Sequence, residues 1–378
     1  MYLVSRLKAW AQLLHLYVAL VLCVPLVVIG LTGSVLVYDN EIQSWLNADQ
    51  IVRVESVGPL ASLDRLVESA QRAAPAGARA ASLSLPSEEG LPATVGFGGG
   101  RGGLTMSLDP VSAEIVATRN GPPRGPGLMR DIFLLHANLL YGGDGRKIVG
   151  WLGIAMCAIG LTGLIMWWPR RGRYARAFTV TRGIGGRRLL SELHSVTGIW
   201  SLVIFLVVSF SGVYLAFPQQ TNATIRTLFA STPPVAAVRD LRVVPDGLVA
   251  LPLDRIADIA RAAAPDSTVR SIAIPAQPDL PYRVALAPNG ITSDGGPTIG
   301  VYVDPYAGTM LAILDPRIYP LGEKIVVWQR PLHEGDGLGP IFKFLVFLSG
   351  LLPLMFSVTG VWMWQKGRRR RNPAPTSA

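Results

Sequence analysis

The chain has 378 residues, 50% hydrophobic and 16% charged, with 35 lysines and arginines against 25 acids. That composition excludes a single soluble domain and points to a membrane protein with a sizeable polar remainder. A net charge of +10 raises the question of a polyanionic partner, which the distribution of that charge answers below.

Four stretches lack charge for long enough to cross a bilayer, which takes about 20 residues. They are 9–38, 148–169, 193–225 and 344–365, the third overlong, so that its end must lie outside the membrane. The first is uncharged over 30 residues and no small-residue cleavage site follows, so it reads as a retained helix rather than a signal peptide. Three pieces hold 14 of the 35 basic residues and no acid: Arg6 with Lys8, the loop RRGRYARAFTVTRGIGGRR and the tail KGRRRRN. The positive charge is therefore a topology signal and not a nucleic-acid footprint. It puts both termini and the arginine-rich loop in the cytoplasm, with residues 39–146 and 218–340 on the other side. Cys23 and Cys157 lie inside apolar runs and form no CxxC or CxxCH motif, which favours packing over zinc or covalent haem attachment.

The chain repeats itself. His15 is followed 17 residues later by Thr32-Gly33, and His194 17 residues later by Ser211-Gly212. His136 in LLHANLL and His333 in RPLHEGD are each followed 26 residues later by Thr-Gly, at Thr162-Gly163 and Thr359-Gly360. Outside the apolar runs, SLDRLVESAQRAAPAGARAASLSLP (62–86) parallels PLDRIADIARAAAPDSTVRSIAIP (252–275), and TMSLDPVSAEIVATR parallels GVYVDPYAGTMLAILDPR. Each copy reads as an amphipathic helix followed by strands, with GFGGGRGG and PNGITSDGG as hairpin-like loops.

The expected fold is a four-transmembrane-helix bundle built by parallel internal duplication, with two α+β outer domains. In chain order, 1–38 holds the first membrane helix and 39–130 an α+β domain. Residues 131–169 hold a histidine segment and the second helix, 170–190 a basic loop, and 191–217 the third helix. A second α+β domain (218–329), a second histidine segment with the fourth helix (330–365) and a basic tail (366–378) complete the chain.

All four histidines of the chain stand at corresponding positions of the repeat. A lone membrane histidine is a satisfied polar group or helix contact more often than a ligand. Ionisable groups are expensive in lipid, however, and a full matched set points to function. Depth sorts them into pairs. His15 and His194 lie about 10 Å beyond Lys8 and Arg188 along helices rising about 1.5 Å per residue, and His136 and His333 precede the second and fourth helices. Zinc wants more ligands than two imidazoles supply, whereas porphyrin brings four of its own and needs an apolar slot. One shared site with two spare histidines is the alternative to two sites. Small residues three apart, Gly30/Gly33, Gly160/Gly163, Ser209/Gly212 and Ser357/Gly360, fit close helix packing first and a flat ring second.

Asp144 and Asp336 read as turn and cap residues before proton carriers. Arg130, Lys147 and Arg330 could pair with an anion or anchor the interface. Trp167, Trp168, Trp362 and Trp364 fit an aromatic belt. Trp328 and Tyr141 lie near the outer histidines. No nucleotide or hydrolase motif appears.

With His15, LLH at His136, ELHSVTGIW at His194, PLHEGDGLG at His333 and the paired LDPVSAEIV and VDPYAGTML turns, the chain resembles the PepSY-associated transmembrane family over nearly its whole length. That family comprises iron-regulated membrane proteins, including the FoxB-type ferrisiderophore reductases. The resemblance implies a bacterial inner-membrane protein with two periplasmic PepSY-like domains, and haem b axial ligation by His15/His194 and His136/His333, two haems per chain. It implies reduction of a ferric siderophore on the periplasmic side, the electrons coming from a quinol or a cytoplasmic reductase. The alternative is a non-enzymatic membrane protein that binds or regulates a protease or transporter, or that transports haem or siderophore unreduced. The first turn, DPVSAE, departs from the family's pattern in lacking the glycine of DPYAGT.

Overall fold

The computed structural model describes residues 2–46, 53–56, 58–86, 88–98, 103–121, 127–169, 172, 174–245, 247–289 and 295–371. Arg170, Arg171 and Arg173 of the basic loop, residues 99–102 and 290–294 of the two glycine-rich loops and the tail beyond Arg371 lie outside them. The elements are α1 (Tyr2–Val37), α2 (Asp39–Leu46), α3 (Leu63–Ala73), β1 (Arg79–Ser84), β2 (Ala93–Gly98), β3 (Leu104–Leu108), β4 (Ile115–Asn120), α4 (Leu128–Asn138), α5 (Gly142–Trp167) and α6 (Tyr174–Ala177). There follow α7 (Gly186–Ala216), α8 (Pro218–Phe229), α9 (Leu253–Ala263), β5 (Ser267–Ala273), β6 (Tyr282–Pro288), β7 (Ile299–Val303), β8 (Met310–Leu314), α10 (Leu321–Glu334) and α11 (Pro340–Arg371). They fall into two compact units: Met1–Asp39, Leu128–Asn222 and Gln329–Ala378 form one, Asn40–Gly127 and Ala223–Trp328 the other.

In the first unit, α1, α5, α7 and α11 are long and apolar enough to cross a membrane. The overlong third run ends as a span at Ala216, where Phe217 closes α7 and α8 begins. α1 packs on α5 and α11, and α7 packs on the same two helices. Small residues make this closeness possible. Gly30 of α1 lies against the backbone of Gly350 on α11, and a side chain at Gly160 of α5 would run into Leu206 of α7.

The second unit corrects the expectation of two separate α+β domains. All eight strands form one antiparallel sheet in the order β4-β3-β2-β1-β5-β6-β7-β8. Each copy contributes a four-stranded meander, and β1 meets β5 at the seam, with Leu83 opposite Ile272 and both buried. The amphipathic α3 and α9 bury Leu63, Leu66 and Ala70, and Leu253, Ile256, Ala257 and Ala260, in one core cluster with the strands. A fully buried leucine or isoleucine contributes about 1.5–3 kcal/mol, and both helices draw on this one shared cluster.

Helix starts are shared as well. The Asp64 carboxylate accepts from the amides of Leu253 and Asp254 at 2.9 and 3.3 Å, and Asp254 accepts from the amide of Leu63 at 3.1 Å. Each copy thus satisfies orphan amide groups at the other's helix N-terminus, where a carboxylate also meets the positive end of the helix dipole. A further internal tie is Glu323, 1% exposed, which takes the Arg226 guanidinium at 2.9 and 3.2 Å and the Ser231 hydroxyl at 3.0 Å.

The turn without glycine keeps the shape of the one that has it. Ala113 adopts φ 62° where Gly308 adopts 67°. In both turns the first aspartate, Asp109 or Asp304, accepts two amides at 2.8 and 3.1 Å. A left-handed alanine costs about 1–2 kcal/mol, and burial of the Ala113 methyl in the core offsets part of it.

Candidate paired-imidazole sites

The four histidines come together as two facing pairs. His15 on α1 faces His194 on α7 with ring centroids 6.3 Å apart, and His136 on α4 faces His333 on α10 at 6.0 Å. The bearers of the first pair share neighbours rather than packing along one another, so this pair spans the bundle diagonally instead of joining adjacent helices. The second pair stands on the short helices that precede α5 and α11, outside the four apolar spans.

The Thr-Gly and Ser-Gly markers of the repeat are where the histidines dock. His15 Nδ1 lies 3.1 Å from both the Ile159 carbonyl and Thr162 Oγ1 of α5. His136 Nδ1 lies 3.0 Å from the Ile29 carbonyl and 3.2 Å from Thr32 Oγ1 of α1. His333 Nδ1 lies 3.1 Å from the Val208 carbonyl and from Ser211 Oγ of α7. His194 Nδ1 lies 2.8 Å from Thr359 Oγ1 of α11. The glycine after each hydroxyl faces the same ring. A Cβ on Gly33, Gly212, Gly163 or Gly360 would stand 2.9, 3.1, 3.5 or 3.9 Å from the Cε1 of His136, His333, His15 or His194. Of each pair of small residues, the earlier glycine in α1 and α5 packs helices and the later one clears a histidine.

These contacts fix the tautomer. The hydroxyls give their own hydrogens to the preceding helical turn: Thr32 to Val28 O, Thr162 to Ala158 O, Ser211 to Val208 O and Thr359 to Met355 O, at 2.7, 2.7, 3.0 and 2.8 Å. The hydroxyl oxygens, like the carbonyls, are left to accept, so each Nδ1 carries the proton and each Nε2 keeps its lone pair. Metal-ligating histidines are oriented in this way, through the nitrogen that does not bind the metal. Burial lowers the imidazole pKa of His136, and of His333 to about 4, where its neighbour His136 adds to the effect. Both are neutral rings able to donate.

Two imidazoles holding one metal through bonds of about 2 Å put their centroids roughly 6 Å apart. Both pairs match. Among the described residues no cluster of three or more His, Cys, Asp or Glu could hold an ion. Each pair could supply two ligands, a set suited to a metal whose other donors come with it.

Several charged residues of the same segments have partners of their own. Lys147 pairs with Asp144 at 2.7 Å, Arg330 with Glu334 at 2.7 Å and Arg188 with Glu192 at 3.1 Å. Asp144 thus holds a lysine in the first turn of α5 and makes no cap bond there. Trp167 packs on Phe178 and donates to the Ala177 carbonyl. Tyr141 is exposed. The sequence reading missed the docking role of Thr32, Thr162, Ser211 and Thr359, although the constant 17- and 26-residue spacings had already tied each to a histidine.

Four membrane-length helices, an antiparallel sheet and facing imidazole pairs define a multi-pass membrane protein with two candidate metal-binding positions. The chain belongs to the family of the PepSY-associated TM region, whose model matches residues 12–366 and so takes in all four histidines. It is similar to the uncharacterized protein PA4219 of Pseudomonas aeruginosa, 26% identical over 263 residues, covering 64% of this chain and 63% of that protein. The chain thus spans less than two thirds of the length of this curated relative.

Proposed function

We propose that the protein is a di-haem b reductase of the bacterial inner membrane that delivers electrons across the bilayer to ferric iron carried by a siderophore. The observation that carries this reading is the pairing itself: four histidines, two facing pairs, each ring held by Nδ1, with no hydrogen bond to Nε2 among the described residues. His15 and His194 would hold one haem, His136 and His333 the other. When bound, haem supplies a reversible one-electron couple at each position.

The chain's own residues supply orientation and spacing. Thr32 of α1 serves the second pair and His15 of α1 the first, 17 residues apart, or about 26 Å at 1.5 Å per residue. Ser211 and His194 repeat that relation on α7. The two positions are thus separated along the axis of the same two helices, the arrangement that electron delivery across a bilayer needs. The first pair stands on two of the four apolar helices, α1 and α7. In this reading the sheet unit is the paired product of an internal duplication, faces the periplasm and receives the ferric siderophore. Both termini are cytoplasmic, and a quinol or a soluble reductase supplies the electrons.

The visible spectrum of detergent-purified protein, with and without dithionite, tests the reading. The expected result is reducible b-type bands with two haems per chain, falling to one in His136→Ala or His333→Ala. A colourless protein would sink the reductase and favour a binding or regulatory role.

A further inference from the structure

The four docking sites are not equivalent. At His15, His136 and His333, Nδ1 faces two acceptors, the hydroxyl and the carbonyl three residues before it: Ile159 with Thr162, Ile29 with Thr32, Val208 with Ser211. The corresponding carbonyl at the fourth site belongs to Phe356. It takes the Thr359 hydroxyl at 3.2 Å, as its counterparts take theirs, but among the described contacts of His194 Nδ1 only Thr359 Oγ1 is an acceptor. The glycine there is also the most distant of the four from its ring, at 3.9 Å, and the Phe356 ring stands 4.8 Å from the imidazole.

We propose that Thr359 is a positioning residue that alone fixes the tautomer of His194, whereas the other three hydroxyls are each backed by a carbonyl. Without Thr359 Oγ1, the Nδ1–H of this part-buried ring loses its described partner, and with it the preference that keeps the proton off Nε2, the nitrogen that must donate to a metal. Loss of such an outer partner lowers metal affinity by about 10–100-fold. Removing Thr162, Thr32 or Ser211 leaves an acceptor in place and a smaller effect. The ligand role of His194 rests on the haem reading; the tautomer does not.

The test uses the full chain in detergent, with Thr359→Val, Thr359→Ala, Thr359→Ser and Thr162→Val. Nitrogen-15 spectra of the haem-free protein, labelled at its four histidines, read each ring's protonated nitrogen. Haem titration reads affinity and potential. Expected are a shift of one histidine from the Nδ1–H toward the Nε2–H form in Thr359→Val and Thr359→Ala, restoration in Thr359→Ser, and no shift in Thr162→Val. One haem should bind about 10–100-fold more weakly in the first two variants only. An unchanged His194 tautomer in Thr359→Ala, or an equal shift in Thr162→Val, overturns the proposal. A wild-type protein that takes up no haem, with the tautomer shift still present in Thr359→Ala, overturns the proposed function and leaves the positioning role standing.

Discussion

The two histidine pairs share a design and differ in grip. At the second pair the glycines of α1 and α7 come so near the rings that a methyl would stand 2.9 and 3.1 Å from Cε1, whereas at the first pair the corresponding separations are 3.5 and 3.9 Å. Every second-pair ring has a carbonyl and a hydroxyl at Nδ1, and one first-pair ring has a hydroxyl alone. The second pair stands on short helices that need docking to hold their rings still. The first stands on spans whose own packing already fixes the backbone. Tightness is concentrated where the backbone is least constrained.

The largest test of this contrast is Gly33→Ala, with Gly212→Ala beside it. Each should displace its ring and reduce haem from two to one per chain, read as pyridine haemochrome; full occupancy would mean that close packing does not set the second pair. Gly163→Ala and Gly360→Ala, at ordinary contact distance, should keep both haems. Replacing a helix-interior glycine there should also raise thermal stability by up to about 1 kcal/mol.

Copy can be set against copy in the sheet too. Gly308→Ala would put a left-handed alanine with its Cβ 3.0 Å from Leu251 and should cost about 1–2 kcal/mol in denaturant unfolding. Ala113→Gly at the matching turn should change stability less, since relief of strain is opposed by loss of a buried methyl. The smallest effect expected is acid sensitivity. Hydrogen bonding from the Ser56 hydroxyl, joined by the Val111 and Ser112 amides, holds the Asp109 carboxyl below its ordinary value of 3.8. A lowered folded-state pKa contributes stability that is complete above that value and lost as pH falls through the lowered one. Ser56→Ala should therefore move the acid unfolding midpoint, followed by circular dichroism, to higher pH.

The helices and the histidines were legible because uncharged length, clustered arginines and fixed spacing are properties of the chain alone. The joining of the outer segments was not. It depends on Leu83 meeting Ile272 and on Asp254 reaching an amide 191 residues away, and a repeat read twice suggests two objects as readily as one. Backbone conformation was legible only where glycine marks it. After His333, Gly335, Gly337 and Gly339 supply positive φ, but after His136 the same reversal uses Leu139 and Leu140 at φ 52° and 60°. Leu139 is held there by packing on Leu26, Ile29 and Leu152, a reason no local pattern states. The carbonyls of Ile29, Ile159 and Val208 were invisible for the same cause, since any residue has one.

The exchange of aspartates between α3 and α9 bears on how the molecule is made. During synthesis the first meander is complete while its inner strand still shows an open edge at Ser82–Ser84 and Leu63 still lacks the carboxylate that will satisfy it. Both wait for residues 253–273. Neither half cut from this gene product is expected to be a stable fragment, and a ribosome that stalls between them leaves an adhesive sheet margin exposed.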